Sequence, residues 1–92
     1  MRLDKFLKVS RLIKRRTLAK EVSDQGRIEI NGKEAKASST VKVGDELTLR
    51  LGQRILTVRI DRIQETSKKE EAAEMYTIVR EERLSQQESS ID

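Results

Sequence analysis

Gly26-Arg27-Ile28-Glu29-Ile30-Asn31-Gly32-Lys33 is where this chain changes its period, and the change decides the fold class. Ile28 and Ile30 alternate with charged residues, so an extended backbone turns both toward one face. Asn31-Gly32 follows at once. That dipeptide is the strongest short hairpin signal, because a type I′ turn needs positive φ at two successive residues. Upstream the spacing is helical. Leu3, Phe6 and Leu7 recur at i, i+3 and i+4 and predict a helix over residues 2–9. Leu18, Ala19 and Val22 supply the apolar face of a second predicted helix over residues 15–24, with Gly26 as its stop. Leu12 and Ile13 are expected to close the core in the connection between them.

Downstream the alternation persists. Residues 33–37 read as a weak return strand and Ser38-Ser39-Thr40 as a loop. Val41 and Val43 lead into a turn at Gly44-Asp45. Residues 46–51 form a strand with Leu47, Leu49 and Leu51 on one face. After a tight connection at Gly52-Gln53, residues 54–63 form another, with Leu56, Val58 and Ile60 aligned. Residues 64–74 are predicted to be a loop or a short exposed helix, and 75–79 a last strand. The expected organisation is one domain over residues 1–80, its core motif at 1–50 and added strands at 51–80. Residues 81–92 are expected to be a polar, acidic, disordered tail.

Charge is distributed unevenly. Arg2, Lys5, Lys8, Arg11, Lys14, Arg15, Arg16 and Lys20 face a single acid, Asp4, within the first twenty residues, which gives +7 there against +4 for the whole chain. Residues 64–92 sum to −4. A positive face focused on two short helices attracts a dense polyanion, and nucleic-acid backbone is the commonest. Phe6 and Tyr76 are the only aromatic residues, and both fit apolar stripes. A base-stacking platform for single strands is therefore not expected, and recognition of folded RNA by shape and backbone is.

The chain has no Cys and no His. That removes Cys/His zinc sites, thiol chemistry and imidazole-based catalysis. No cofactor or metal is expected, and no enzyme activity. No apolar run approaches the ~20 residues of a membrane span, and the N-terminus lacks the apolar stretch of a signal peptide. The expectation is a cytoplasmic monomer.

Arg2-Leu3-Asp4-Lys5-Phe6-Leu7, Arg16 entering the second helix, Gly26 to Lys33 and Val43-Gly44-Asp45, in that order and at these spacings, resemble the S4 domain. The resemblance covers roughly residues 1–50. It implies an α+β fold of the alpha-L type, with two or three short N-terminal helices packed on a small, mainly antiparallel sheet, followed by extra C-terminal strands and the tail. Where the family often has Ser before the second-helix Arg, this chain has Arg15, which removes a good N-cap. The chain looks most like the small stand-alone group of RqcP-like and heat-shock-protein-fifteen-like factors, and nearest the former, because it lacks a long basic C-terminal extension. The resemblance implies binding of rRNA and tRNA on a large ribosomal subunit that carries stalled peptidyl-tRNA. It also implies an RqcH-type partner that adds alanine tails. The alternatives are a general structured-RNA or DNA-binding regulatory module, or an RNA-binding accessory subunit of a modifying enzyme.

The candidate RNA-binding residues are the eight cations named above. Arg2 and Arg16 are expected to make the more specific contacts, because a planar guanidinium donates two parallel hydrogen bonds to phosphate. Asp4 is expected to orient them, by pairing with Lys8 or with an arginine of the second helix.

Overall fold

The computed structural model describes residues 1–65 and 68–83. Two short helices, α1 (Leu3–Val9) and α2 (Arg16–Asp24), precede a hairpin of β1 (Ile28–Ile30) and β2 (Lys33–Glu34). Then come β3 (Glu46–Leu51), β4 (Arg54–Ile60), a single-turn helix α3 (Lys69–Ala72) and β5 (Tyr76–Arg83). The five strands form one sheet in the order β2-β1-β3-β4-β5, antiparallel throughout.

The change of period falls where expected. At the end of α2, Gly26 has φ +77. Its N–H donates to the Ser23 carbonyl at 3.0 Å, and the Arg27 N–H donates to the Val22 carbonyl at 3.2 Å. This is the paired closure of a left-handed helix stop. A Cβ at Gly26 would meet only the Glu34 carboxylate, the mobile end of an exposed side chain that can swing aside, so it is the positive φ that calls for glycine there. Asn31 and Gly32 have φ 54 and 84, the two positive angles of the type I′ turn. Asn31 also ties two turns together. Its side-chain N–H donates to Asp45 Oδ1 at 3.1 Å, and its side-chain oxygen accepts from the Glu46 N–H at 3.0 Å.

Register explains the core. Ile30 lies opposite Leu47, and Leu47 opposite Val58; Ile28 lies opposite Leu49, and Leu49 opposite Leu56. Period-two alternation puts all of them on one face. The helices cover that face with Leu3, Phe6, Leu7, Ala19 and Val22, and Ile13, Val41, Ile60 and Met75 close its margins in a single cluster. Fully burying one such side chain contributes roughly 1.5–3 kcal/mol.

Three expectations need correction. Leu18 is 47% exposed. The inward stripe of α2 is Ala19, Val22 and Ser23, and the Ser23 hydroxyl escapes a burial penalty by donating to the Ala19 carbonyl at 2.7 Å. The fourth strand ends at Ile60, short of residue 63; beyond it the Asp61 and Arg62 N–H groups both donate to the Met75 carbonyl, at 2.8 and 3.2 Å, so the ladder does not continue. The last strand continues to Arg83, so a domain boundary after residue 80 would cut through it. Residues Glu81 to Arg83 are held there by pairing with Leu56, Ile55 and Arg54. A bulge opposite Thr57 and Val58 leaves Val79 as the extra residue of β5. The expected disorder of the rest of the tail concerns residues 84–92, which lie outside the described residues.

Candidate nucleic-acid interface

The N-terminus is stitched to the segment before β3. The Leu3 N–H donates to the Ser39 carbonyl at 2.7 Å, Asp4 N–H to Ala37 at 3.2 Å, and Val41 N–H to Met1 at 2.9 Å, with Arg2 bridged to Thr40. This fixes where α1 starts. Arg2 is its extended N-cap and Asp4 lies in its first turn, where a carboxylate is favoured by the helix dipole.

Asp4 is buried, its side chain only 4% exposed, yet it serves two arginines that are each about half exposed. Arg2 donates through Nε to Oδ1 at 3.2 Å and through Nη2 to Oδ2 at 3.4 Å. Arg16, the first residue of α2, brings its Nε within 3.5 Å of Oδ2. One carboxylate thus joins the starts of both helices. It engages each guanidinium on one side while each arginine side chain stays about half exposed. The expected pairing with a second-helix arginine is present; Lys8 is not a partner, and Arg2 takes that place. A buried carboxylate stripped of partners costs several kcal/mol, so this pair constrains geometry far more than an exposed helix pair worth about 0.3–0.5 kcal/mol.

The other predicted cations divide. Lys5 is half-buried and paired with Glu65, across sixty residues of sequence. That hydrogen bond holds the Glu65 carboxyl below its usual range. Lys8, Arg11, Lys14, Arg15 and Lys20 are exposed, and no ion pair engages them among the described residues. Arg15 caps α2 with extended backbone and no side-chain hydrogen bond, as its identity predicts. Arg11 has φ 63 in the connection between the helices. A left-handed Arg costs about 1–2 kcal/mol, and the site normally goes to glycine. Nothing in the sequence signalled this; the chain turns there because the Arg11 N–H closes on the Lys8 carbonyl and Ile13 N–H on Leu7. Arg11, like Lys14 and Arg15, is exposed.

Among the described residues no cluster of acids, His or Cys is suited to a metal ion, and no helix is long and apolar enough to cross a membrane. The arrangement can do one thing well: present fixed, forked cations and mobile point charges to an extended anion.

Comparison with known proteins bears on the family and the fold. The family model described as the S4 domain matches residues 1–47. The RQC P-site tRNA stabilizing factor of Bacillus subtilis (strain 168) is 73% identical over 84 residues, 91% of this chain and 98% of that protein. The protein of the same name from Streptococcus pneumoniae (strain ATCC BAA-255 / R6) is 54% identical over 84 residues, 91% and 96% of the two chains. Among solved structures, heat shock protein 15 of Vibrio cholerae, described as trimeric, matches with a TM-score of 0.81 at 32% identity, covering 98% of this chain and 91% of that one.

Proposed function

The chain belongs to the S4-domain family, and from that premise we propose that it is a non-enzymatic RNA-binding factor of ribosome-associated quality control. It holds rRNA and tRNA together on a large ribosomal subunit carrying stalled peptidyl-tRNA. The observation that carries this reading is the shared Asp4, which sets Arg2 and Arg16 at fixed spacing with their side chains about half exposed. The relatives named for stabilising P-site tRNA support the choice of target.

The mechanism is binding without chemistry. Arg2 and Arg16 each offer a planar fork to a phosphate, and preorganisation by Asp4 reduces the entropy lost on docking. Lys8, Arg11, Lys14, Arg15 and Lys20 add point charge around them. Peptidyl-tRNA held in this way stays in place while an RqcH-type factor extends the stalled chain with alanine. The factor works in the cytoplasm and as a monomer.

With about five phosphates neutralised, affinity falls by roughly a few hundredfold between about 50 and 200 mM salt. The test is co-sedimentation of tagged protein with large subunits from growing bacteria. The parent is expected to recover large-subunit rRNA and tRNA without small subunits. Arg16→Ala weakens recovery, and combined neutralisation of Arg2, Arg16 and Lys20 abolishes it. Unchanged recovery by the triple variant overturns the reading.

A further inference from the structure

We propose that the segment from Lys36 to Lys42 is a second phosphate-binding strip that continues the helical site past Arg2. The inference rests on the RNA-binding reading and adds to it a surface from a distant part of the chain.

Two turns build the strip. In the first, the Ser39 N–H donates to the Lys36 carbonyl at 2.9 Å, and Ser39 Oγ accepts from the Lys36 N–H at 2.9 Å. In the second, the Asp45 N–H donates to the Lys42 carbonyl at 3.1 Å. Each turn therefore opens with a lysine, and the first folds Lys36 back toward Thr40 instead of letting the chain run away from it. Ala35, Ala37 and Val41 are buried, whereas Lys36, Ser38, Thr40 and Lys42 are exposed. The apolar residues anchor the strip and the polar ones face solvent. Thr40 is the bridge partner of Arg2. Directly opposed residues of an antiparallel bridge project to the same side with Cβ atoms about 5 Å apart. Thr40 therefore lies directly beside Arg2. Lys42, two residues beyond Thr40, is exposed where the second turn begins.

The neighbouring acids do not neutralise these lysines. Asp24 Oδ1 accepts from the Ala37 N–H at 3.2 Å, and Asp45 Oδ2 accepts from the Lys42 N–H at 3.0 Å. Both carboxylates hold the backbone of the strip in place, and Asp45 is 6% exposed. Neither lysine has an ion pair among the described residues. On the helical side, Arg16 and Lys20 stand one turn apart on α2, in a row that leads toward Asp24, whose carboxylate grips Ala37. The cations of α2, Arg2 and the strip therefore border one surface, and an RNA backbone crossing α2 and Arg2 passes over the strip.

The experiment measures affinity for bacterial large ribosomal subunits carrying tRNA at several salt concentrations. Lys36→Gln/Lys42→Gln is compared with the parent, with Arg16→Ala, and with Arg80→Gln/Arg83→Gln, which removes the same charge from the far edge of the sheet. The strip predicts about a tenfold loss for the lysine variant and a salt slope smaller by about two. It also predicts recovery with Lys36→Arg/Lys42→Arg and little change in the β5 variant. If Arg16→Ala weakens binding while Lys36→Gln/Lys42→Gln matches the parent in affinity and slope, the strip is wrong and the helical site stands. If neither variant weakens binding, the RNA-binding reading fails with it. Equal losses in the lysine and β5 variants mean that net charge alone matters, which also overturns the strip.

Discussion

The helical end and the sheet use arginine in opposite ways. In the sheet and its connections five arginines each have a carboxylate of their own: Arg50 with Glu29, Arg54 with Glu81, Arg59 with Asp61, Arg62 with Glu74 and Arg80 with Glu82, at 2.8–3.5 Å. At the helical end Arg2 and Arg16 share one acid, and five further cations have none among the described residues. Both regions are rich in positive residues, but among the described residues most arginines of the sheet are paired, whereas most cations of the helical end are not. The lesson is that attraction for a polyanion follows unpaired, positioned charge. Counts of Lys and Arg do not measure it.

Phe6→Ala tests whether the two regions are one folding unit. Phe6 is fully buried between the helices and the sheet, so its truncation is expected to destabilise the whole domain by about 3–5 kcal/mol. Denaturant unfolding should show one transition at lower midpoint by both helical and strand signals. Separate transitions would mean that the helices melt alone, and that the comparison concerns two independent parts.

Asp4→Asn sharpens the contrast most directly. It raises net charge by one while removing the carboxylate charge and one of the two oxygens that hold the arginines, so affinity for tRNA-bearing large subunits is expected to fall about tenfold. Tighter binding would show that bulk charge rules and that the geometry is incidental. The converse experiment is Arg50→Gln/Arg59→Gln in the sheet. It lowers net charge by two but touches only exposed pairs, each worth about 0.2–1 kcal/mol to stability. Binding should stay within about twofold of the parent, with the salt slope unchanged.

Arg11→Gly separates strain from charge. Glycine relaxes the left-handed backbone at φ 63, so thermal stability should hold or rise slightly, by up to about 1 kcal/mol. Affinity should fall a few fold, because one outward cation is lost. A loss of stability would place the strain elsewhere.

The smallest effect belongs to Lys5. Glu65 has its carboxyl held low, chiefly by the Lys5 hydrogen bond. A depressed carboxyl contributes its stabilisation above its unfolded value and loses it as pH falls through the folded one. The Lys5–Glu65 pair should therefore open only below the ordinary glutamate range, which NMR titration of Glu65 can follow. At neutral pH, Glu65→Gln frees Lys5 and is expected to raise RNA affinity by about twofold. Unchanged affinity would mean that Lys5 lies off the RNA path.

Much of the fold was readable in one dimension because its signals are local. Gly26, Asn31-Gly32, and the alternation at Ile28, Ile30, Leu47, Leu49, Leu56 and Val58 each act over a few residues, and each appears where expected. The helical stripe of α1 was equally plain. Leu18 was misread because hydrophobicity alone favoured it over Ser23, whose hydroxyl can satisfy itself within the helix. The end of β5 was misread because Arg80, Glu81, Glu82 and Arg83 have a polar sequence. They lie in a strand because β4 offers a long edge and Arg54 offers Glu81 a partner.

The sequence by itself settled the order of helices and strands, the domain family and the concentration of positive charge at one end, since periodicity, turn chemistry and net charge depend on neighbours along the chain. Tertiary structure decided which cations remain available. Asp4 reaches Arg2 and Arg16, Glu65 reaches Lys5, and the Lys36–Lys42 segment comes to lie beside Arg2. Those meetings span from two to sixty residues. An ion pair depends on distance in space, and no pattern along the chain records it.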